Sequence, residues 1–272
     1  MKAISFKKMQ GSGNDFILID NRKGLVAHEE APELARRLCK RCFGIGADGL
    51  ILIEDSNKAD FRWMFLNADG SIAEMCGNGG RCAARFAYII GMCQKRLCFE
   101  TLAGIIKAEV NEDRVKLQLT PPRDIRQDIT IDVDGQRLKV DYADTGVPHV
   151  VVYTKDVEKE PVAELGRRIR YHEEFAPKGA NVNFIEAKTE SELKVRTYER
   201  GVEGETYACG TGAAASALMS WLKGLVNTPV DIVTSGGERL RVHLEKSDSK
   251  NMPDIYLEGK AILVYSGVTE EI

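Results

Sequence analysis

Residues 76–79 read Cys-Gly-Asn-Gly, and the same pattern returns 133 residues later, where residues 209–212 read Cys-Gly-Thr-Gly. Other residues at turn positions repeat with the same ungapped offset: Gly46 with Gly179, Thr101 with Thr234, and Gly104 with Gly237. Because one offset aligns such residues along most of the chain, the sequence predicts two halves that share one fold.

The two halves also share an order of predicted elements. A strand opens each half, as at residues 16–19, and a helix follows at 29–41 in the first half and at 162–170 in the second. Two more strands come next, and a Cys-Gly loop then leads into a helix of small residues, predicted to begin at Gly80 and at Ala213. The predicted fold class is α+β, with two pseudo-symmetric halves, each a mainly antiparallel curled sheet around a central helix.

The boundary between the halves is predicted at Pro121-Pro122, because proline interrupts both helices and sheet ladders. The N-terminal half is then residues 1–120, which carry Cys76, and the C-terminal half is residues 121–272, which carry Cys209. The last strand, at about 263–272, is expected to pack on the N-terminal half.

Composition and charge exclude several classes of protein. The 272 residues include 38 Lys and Arg against 41 Asp and Glu, a balance that argues against a nucleic-acid partner. No apolar run approaches the roughly 18 residues of a membrane span, and the N-terminus lacks the apolar segment of a signal peptide. With seven cysteines and no export features, we expect free thiols and a cytoplasmic protein.

Two further motifs do not predict a cofactor or a metal. Residues 44–49 spell Gly-x-Gly-x-x-Gly, but a strand-like run follows them, so the strand-turn-helix context of a dinucleotide site is missing. Cys39 and Cys42 form a Cys-x-x-Cys pair without a second pair of thiol or imidazole ligands. The expectation is therefore no metal and no cofactor.

The repeated cysteines are the candidate chemical groups. Cys76 and Cys209 each precede a predicted helix, whose first turn offers unpaired N–H groups and the positive end of the helix dipole. Such a position favours a thiolate, whereas burial disfavours it, and the sequence leaves this balance open. The glycines let an anion approach the backbone amides.

Two halves that face each other would bring both thiols to one cleft, on opposite sides of a substrate α-carbon. One thiolate could then remove a proton from one face while the opposite thiol returns a proton to the other, which inverts the stereocentre. The alternative for either cysteine is a structural role, because free cysteine packs as a small apolar residue.

These motifs resemble the diaminopimelate epimerase family. The matching stretches are residues 11–16, 67–71, 75–82, 148–149, 198–201 and 205–212. The resemblance implies a cofactor-independent isomerase that interconverts LL- and meso-diaminopimelate in lysine and peptidoglycan precursor biosynthesis. It also implies a homodimer that binds a small-molecule substrate. It implies no binding to nucleic acid or to a membrane.

The resemblance also implies roles for individual residues. Cys76 and Cys209 would be the base and acid pair, with Cys76 deprotonating the LL form. His149 and Glu199 would contact the reacting amino group and tune the thiols. The residues implied to contact the reacting carboxylate through their backbone are Gly77, Asn78, Gly210 and Thr211. Those implied to hold the distal end are Asn67, Asn181 and Arg200, and Asn14 matches a further substrate-contact position.

Two positions depart from the family pattern, and alternatives stay open. Val147 stands where many members carry asparagine, and Gly49 where some carry glutamine, so the distal end of the substrate is less well specified than the thiol chemistry. The alternatives are another two-cysteine amino-acid racemase and a non-catalytic amino-acid-binding protein. An isomerase of the same fold with carboxylates in place of the thiols is disfavoured by the presence of both cysteines.

Overall fold

The computed structural model describes residues 3–246 and 252–270. The strands are β1 (Ser5–Gly11), β2 (Asn14–Asp20), β3 (Gly49–Glu54), β4 (Phe61–Asn67), β5 (Arg96–Thr101), β6 (Gly104–Asn111), β7 (Arg114–Gln118), β8 (Arg123–Val133), β9 (Gln136–Asp144), β10 (Pro148–Tyr153), β11 (Asn181–Thr189), β12 (Glu192–Glu199), β13 (Gly204–Thr206), β14 (Val230–Thr234), β15 (Arg239–Glu245), β16 (Asp254–Lys260) and β17 (Ile262–Val268). The α-helices are α1 (Ala31–Cys39), α2 (Gly77–Ile89), α3 (Val162–Arg170) and α4 (Gly210–Leu222).

The chain divides into two compact units. The first comprises Met1–Leu117 with Gly259–Ile272, and the second comprises Gln118–Glu258. In the first unit, β17 lies antiparallel to β1 and so adds a C-terminal strand to the N-terminal sheet.

Both units have the same succession of strand pairings. The first has the order β17-β1-β2-β3-β4-β5-β6-β7, in which β2–β3 and β4–β5 are parallel and the other pairs are antiparallel. The second has the order β8-β9-β10-β11-β12-β14-β15-β16, in which β10–β11 and β12–β14 are the parallel pairs. The predicted fold class, α+β with mainly antiparallel sheets, is confirmed.

Each central helix packs against several strands of its own unit. Helix α2 packs against β1, β2, β3 and β6, and α4 packs against β9, β10, β11, β12, β14 and β15. Strand side chains alternate between two cores: Phe16 and Leu18 pack with α2, whereas Ile17 and Ile19 pack with α1. All four side chains are fully buried, so β2 is buried on both faces, and each of them contributes about 1.5–3 kcal/mol.

Both central helices begin three residues earlier than predicted. Helix α2 begins at Gly77 rather than Gly80, and α4 begins at Gly210 rather than Ala213. The glycines were expected to form a loop, because glycine in a helix costs about 1 kcal/mol relative to alanine. Close packing requires them instead: a Cβ on Gly212 would lie 2.3 Å from Asn183 Oδ1. The two cysteines are therefore the N-cap residues themselves.

The outer helices agree with the sequence prediction. Helix α3 has the predicted bounds, and α1 is shorter by two residues at each end than the predicted helix at 29–41. Cys39 lies at the end of α1 and is buried, as predicted. Within the part of the chain that the structure describes, no helix combines the length and hydrophobicity that a bilayer span requires.

Candidate active site

Cys76 caps the first turn of α2. The Gly79 N–H donates to Cys76 Sγ over 3.4 Å, and the thiol donates to Asn14 Oδ1 over 3.6 Å. Burial raises the pKa of the Cys76 thiol, and the backbone N–H groups of Gly79 and Asn78 and the charge of Arg81 oppose that rise. Of the two effects that the sequence left open, burial therefore outweighs the helix N-terminus, and Cys76 is a protonated thiol in the free protein at neutral pH.

The orientation of the Asn14 side chain follows from its neighbour Asp48. Asn14 Nδ2 donates to Asp48 Oδ2 over 2.6 Å, and an ionised carboxylate can only accept hydrogen bonds. Asn14 Oδ1 is thereby turned toward Cys76 and also accepts from Asn78 Nδ2 over 3.4 Å. An acceptor at this position stabilises the protonated form of the thiol.

Arg81 is the largest fully buried side chain in the described residues. It donates to Asn78 Oδ1 over 2.9 Å and to Ser12 Oγ over 2.7 Å. A Cβ on Gly11 would lie 3.2 Å from its guanidinium, so this glycine leaves the space for it. Arg81 thus ties the start of α2 to the turn before β2.

Cys209 caps α4 in the second unit. Its Sγ lies 3.6 Å from Thr211 Oγ1. Burial and, after it, the negative charge of Glu199 raise the pKa of Cys209 to about 11, and hydrogen bonds from Thr211 and Gly212 oppose the rise. The carboxylate of Glu199 therefore acts on Cys209 through its charge. Thr145 Oγ1 donates to the carbonyl of Thr211 over 2.9 Å and holds this turn in place.

His149 is fully buried at the start of β10, in register with Asn181 on the parallel strand β11. Burial and the positive charge of Arg200 lower the pKa of His149 to about 3, so the ring is neutral at physiological pH. Its Nδ1 lies 3.2 Å from Asn183 Nδ2. Among the described residues, its Nε2 is buried and has no hydrogen-bond partner.

The residues expected at the distal end of the substrate occupy strand ends and turns. Asn181 Oδ1 accepts a hydrogen bond from the backbone N–H of Arg200 over 2.7 Å, and Arg200 follows Glu199 at the end of β12. In the first unit, Asn67 ends β4, and its side chain donates to Ser71 Oγ within the same turn over 3.0 Å.

Within each unit, the structure brings several predicted residues together. In the first unit, Cys76 contacts Asn14 and the backbone N–H groups of Asn78 and Gly79. In the second unit, Cys209 contacts Thr211, and the negative charge of Glu199 raises its pKa. The roles of these residues stay predictions. No group of three or more His, Cys, Asp or Glu side chains in residues 3–246 and 252–270 is placed to hold a metal ion.

Sequence reasoning missed four residues of this network. They are Asp48, Arg81, Asn183 and Thr197, whose hydroxyl donates to Asn183 Oδ1 over 2.9 Å. Two of them left a signal. Arg81 is a charged residue among the small residues Gly79, Gly80, Cys82 and Ala83 near the start of α2, and Asn183 is an amide within an apolar strand.

Comparison with known proteins agrees with the motif resemblance. The family whose model matches the chain is described as Diaminopimelate epimerase, and the match covers residues 6–124 and 142–264. The chain is 49% identical over 281 residues to the "Diaminopimelate epimerase" of Aquifex aeolicus, with 99% of each protein covered. It is 42% identical over 278 residues to the protein of the same name from Archaeoglobus fulgidus, with 97% of this chain and 96% of the relative covered.

Solved structures of more distant proteins share the fold. A PhzF-family phenazine biosynthesis protein of Bacillus anthracis aligns with a TM-score of 0.75 at 18% identity and covers 100% of both chains. A hydroxyproline epimerase of Agrobacterium vitis aligns with a TM-score of 0.69 at 17% identity, over 99% of this chain and 91% of the other. The match of the family model and the near full-length identity to the two relatives together show that this chain belongs to the diaminopimelate epimerase family.

Proposed function

We propose that this protein is a cofactor-independent isomerase that interconverts LL- and meso-diaminopimelate in the biosynthesis of lysine and peptidoglycan precursors. The observation that carries the proposal is the repeated N-cap cysteine. Each repeat supplies one thiol at the start of a buried helix, with a glycine next to it. The family to which the chain belongs is named for this reaction.

The reaction needs one base and one acid at the same time. In the LL-to-meso direction, the Cys76 thiolate takes the α-proton, and Cys209 gives its thiol proton to the opposite face of the carbon. The Cα–H bond breaks, the new C–H bond forms, and the enzyme is left with a protonated Cys76 and a Cys209 thiolate. That pair of protonation states is the one that the reverse reaction requires.

The raised pKa values of Cys76 and Cys209 disfavour the thiolate that the reaction needs, and substrate binding can offset part of this effect. Glu199 raises the pKa of Cys209, so a substrate ammonium group that pairs with Glu199 offsets this negative charge and lowers that pKa. This makes the Cys209 thiol a stronger acid in the LL-to-meso direction and its thiolate easier to form in the reverse direction. In the proposal, His149 lies beside the same reacting centre. Each unit by which the pKa falls saves about 1.4 kcal/mol.

The first turns of α2 and α4 would hold the reacting carboxylate. Loss of the α-proton places charge on the carboxylate oxygens, and helix N-terminal amides stabilise such charge. The groups proposed for this are the backbone N–H groups of Gly77, Asn78, Gly210 and Thr211. A Cβ built on Gly77 has no described atom within 4 Å, so this turn has open space beside it for a ligand.

The distal end of the substrate is a second amino-acid group with its own carboxylate. The guanidinium of Arg200 can pair with that carboxylate, and the amides of Asn67 and Asn181 can hydrogen-bond to it. Asn14 is proposed to contact the substrate near Cys76. Val147, at the position where many family members carry asparagine, offers no side-chain hydrogen bond here.

The experiment that tests the function is incubation of the purified protein with LL-diaminopimelate in heavy water without added cofactor, followed by NMR. We expect formation of the meso isomer with deuterium at the α-carbon. Parallel incubations with proline and glutamate separate this function from that of another two-cysteine racemase. A protein that binds diaminopimelate but leaves its α-proton in place would contradict the proposal.

We further propose that the protein is a cytoplasmic homodimer. Three apolar side chains of β17, those of Val264, Tyr265 and Val268, are exposed, and a second copy could cover them. All seven cysteines are free, and a reducing compartment such as the cytosol keeps thiols in this state. Sedimentation velocity would give twice the mass of one 30.2 kDa chain, and a monomer at micromolar concentration would contradict the dimer.

A further inference from the structure

The side-chain amide of Asn183 has an orientation that its surroundings fix. Asn183 Nδ2 lies 3.0 Å from the carbonyl oxygen of Val150, and a carbonyl oxygen can only accept. The NH2 group must therefore face that oxygen, which leaves Oδ1 to accept from Thr197 Oγ1 over 2.9 Å. Asn183 is completely buried and Thr197 nearly so, so bulk water cannot substitute for these partners.

The same NH2 group decides where the His149 ring carries its proton. One hydrogen of Asn183 Nδ2 goes to Val150, and the other faces His149 Nδ1 over 3.2 Å. Because that contact already supplies a donor, Nδ1 must be the unprotonated nitrogen. A neutral imidazole then carries its proton on Nε2, the buried atom without a hydrogen-bond partner among the described residues.

The first unit shows that packing alone does not require polar groups here. The residues at the equivalent register positions are Phe16 for His149, Ile51 for Asn183 and Phe65 for Thr197.

Packing against the central helix is equivalent in the two units. A Cβ on Gly79 would touch Ile51 and Phe16, as a Cβ on Gly212 would meet Asn183. Apolar side chains therefore fill this space in one unit, whereas the other buries three polar ones. Burying polar groups brings a desolvation cost of about 1–3 kcal/mol each unless they are hydrogen-bonded, which points to a role beyond packing.

We propose that Asn183 is a positioning residue that holds His149 in the tautomer protonated at Nε2, so that His149 meets the reacting groups as a hydrogen-bond donor. The inference rests on the proposed function for the identity of those groups, but not for the tautomer. A donor at Nε2 suits an anionic atom, either a thiolate or a carboxylate oxygen. It does not suit an ammonium group, which is itself only a donor, so of His149 and Glu199 only Glu199 can accept a hydrogen bond from the substrate ammonium.

The test is the 15N spectrum of the imidazole rings in the full-length protein at neutral pH, without substrate. Long-range 1H–15N correlations separate a protonated from an unprotonated ring nitrogen, and the His149→Gln variant identifies which of the four histidines gives the signal. We expect an unprotonated Nδ1 and a protonated Nε2 in the wild-type protein. The reverse pattern would overturn the proposal by itself.

Variants at two positions separate this role from a structural one. Asn183→Asp replaces the NH2 group that faces His149 with a carboxylate oxygen, which only accepts hydrogen bonds, so we expect Nδ1 to carry the proton. Thr197→Val is the matched control: the Val150 carbonyl still orients the amide, and the tautomer should stay at Nε2. An unchanged tautomer in Asn183→Asp, or a shifted one in Thr197→Val, would contradict the assignment.

A second substitution guards against misfolding of the aspartate variant. Asn183→Ile copies the residue that fills this space in the first unit, and it should give a mixture of the two tautomers because nothing then fixes the proton. A pure Nε2–H signal in this variant would also overturn the proposal. None of these readouts needs turnover, so a protein that shows the expected tautomers but does not epimerise diaminopimelate would refute only the proposed function.

Discussion

At the scale of single residues, the two repeated thiols have similar positions but different neighbours. Cys76 donates to an amide oxygen that Asp48 has turned toward it, whereas Cys209 lies in the field of the Glu199 carboxylate. Burial raises the pKa of both. The net shift is upward at both cysteines, so the helix N-terminus, which typically contributes about 0.3–1 kcal/mol, does not offset desolvation at either. The substrate must therefore take part in forming the thiolate.

Loss of either thiol should slow epimerisation strongly. We expect Cys76→Ala and Cys209→Ala each to lower kcat by about 10²–10⁴-fold, the usual contribution of a positioned acid or base. Cys98→Ala is the control, since this half-buried cysteine lies on β5 and has no counterpart in the repeat. Turnover of LL-diaminopimelate followed by NMR is the measurement. Full activity in either of the first two variants would refute the two-thiol mechanism.

Removing the charge of Glu199 should make Cys209 more reactive in the free protein. That charge raises the pKa of Cys209, so Glu199→Gln should shift it downward from about 11, with tenfold more thiolate for each unit of the shift. The rate of Cys209 alkylation by iodoacetamide, followed by mass spectrometry against pH, reports the shift. Cys76 in the same sample is the internal control, and an unchanged or higher midpoint for Cys209 would contradict this account.

The neutral, buried state of His149 should make the protein less stable in mild acid. The folded-state pKa of His149 is about 3, below the unfolded value of about 6.5, so the unfolded chain gains a proton first as the pH falls. The stabilisation is complete above about pH 6.5 and is lost toward pH 3, at about 1.4 kcal/mol per pH unit.

A phenylalanine at position 149 would remove this titration, and Phe16 shows that such a ring fits the equivalent place in the first unit. Urea unfolding at pH 7 and at pH 5 should therefore show a smaller loss of unfolding free energy for His149→Phe than for the wild-type protein. Equal losses in the two proteins would mean that His149 does not titrate as described.

At the scale of elements, periodic segments could be predicted and glycine-rich ones could not. Helix α3 has its predicted bounds, and the predicted strand at 16–19 lies within β2, because apolar patterning decides both. The starts of α2 and α4 were misplaced because Gly77–Gly79 and Gly210–Gly212 have low helix propensity. Tertiary packing, which no local pattern encodes, requires glycine at positions 210 and 212, where a Cβ would lie 2.8 Å from Leu257 and 2.3 Å from Asn183.

Two of these glycines should respond in opposite ways to substitution by alanine. Gly212→Ala places a Cβ 2.3 Å from Asn183 Oδ1, so we expect a loss of about 1–3 kcal/mol in stability from overpacking. Gly77→Ala meets no described atom within 4 Å, so its Tm should change little while kcat/KM falls, because the methyl group occupies space proposed for the carboxylate. Thermal unfolding and activity of both variants check this, and equal Tm losses would contradict it.

At the scale of the whole molecule, the repeat explains why the fold could be predicted and part of the site could not. The offset that aligns Cys76 with Cys209 also marks two units with the same succession of strand pairings. A repeat indicates what the two units share, so it does not indicate the side chains in which they differ. Asp48, Arg81 and Asn183 act through partners that only the folded chain brings close, so no spacing along the chain indicates those contacts.

The most direct test of the central claim is the fate of deuterium early in the reaction. The account predicts that, at low conversion of LL-diaminopimelate in heavy water, the meso product carries one deuterium at the inverted carbon while the recovered substrate carries none. The reason is that one thiol removes protium while the other delivers a deuteron taken from solvent. Deuterium appearing in recovered substrate as fast as in product would mean that a single group serves both faces, and the two-thiol account would be wrong.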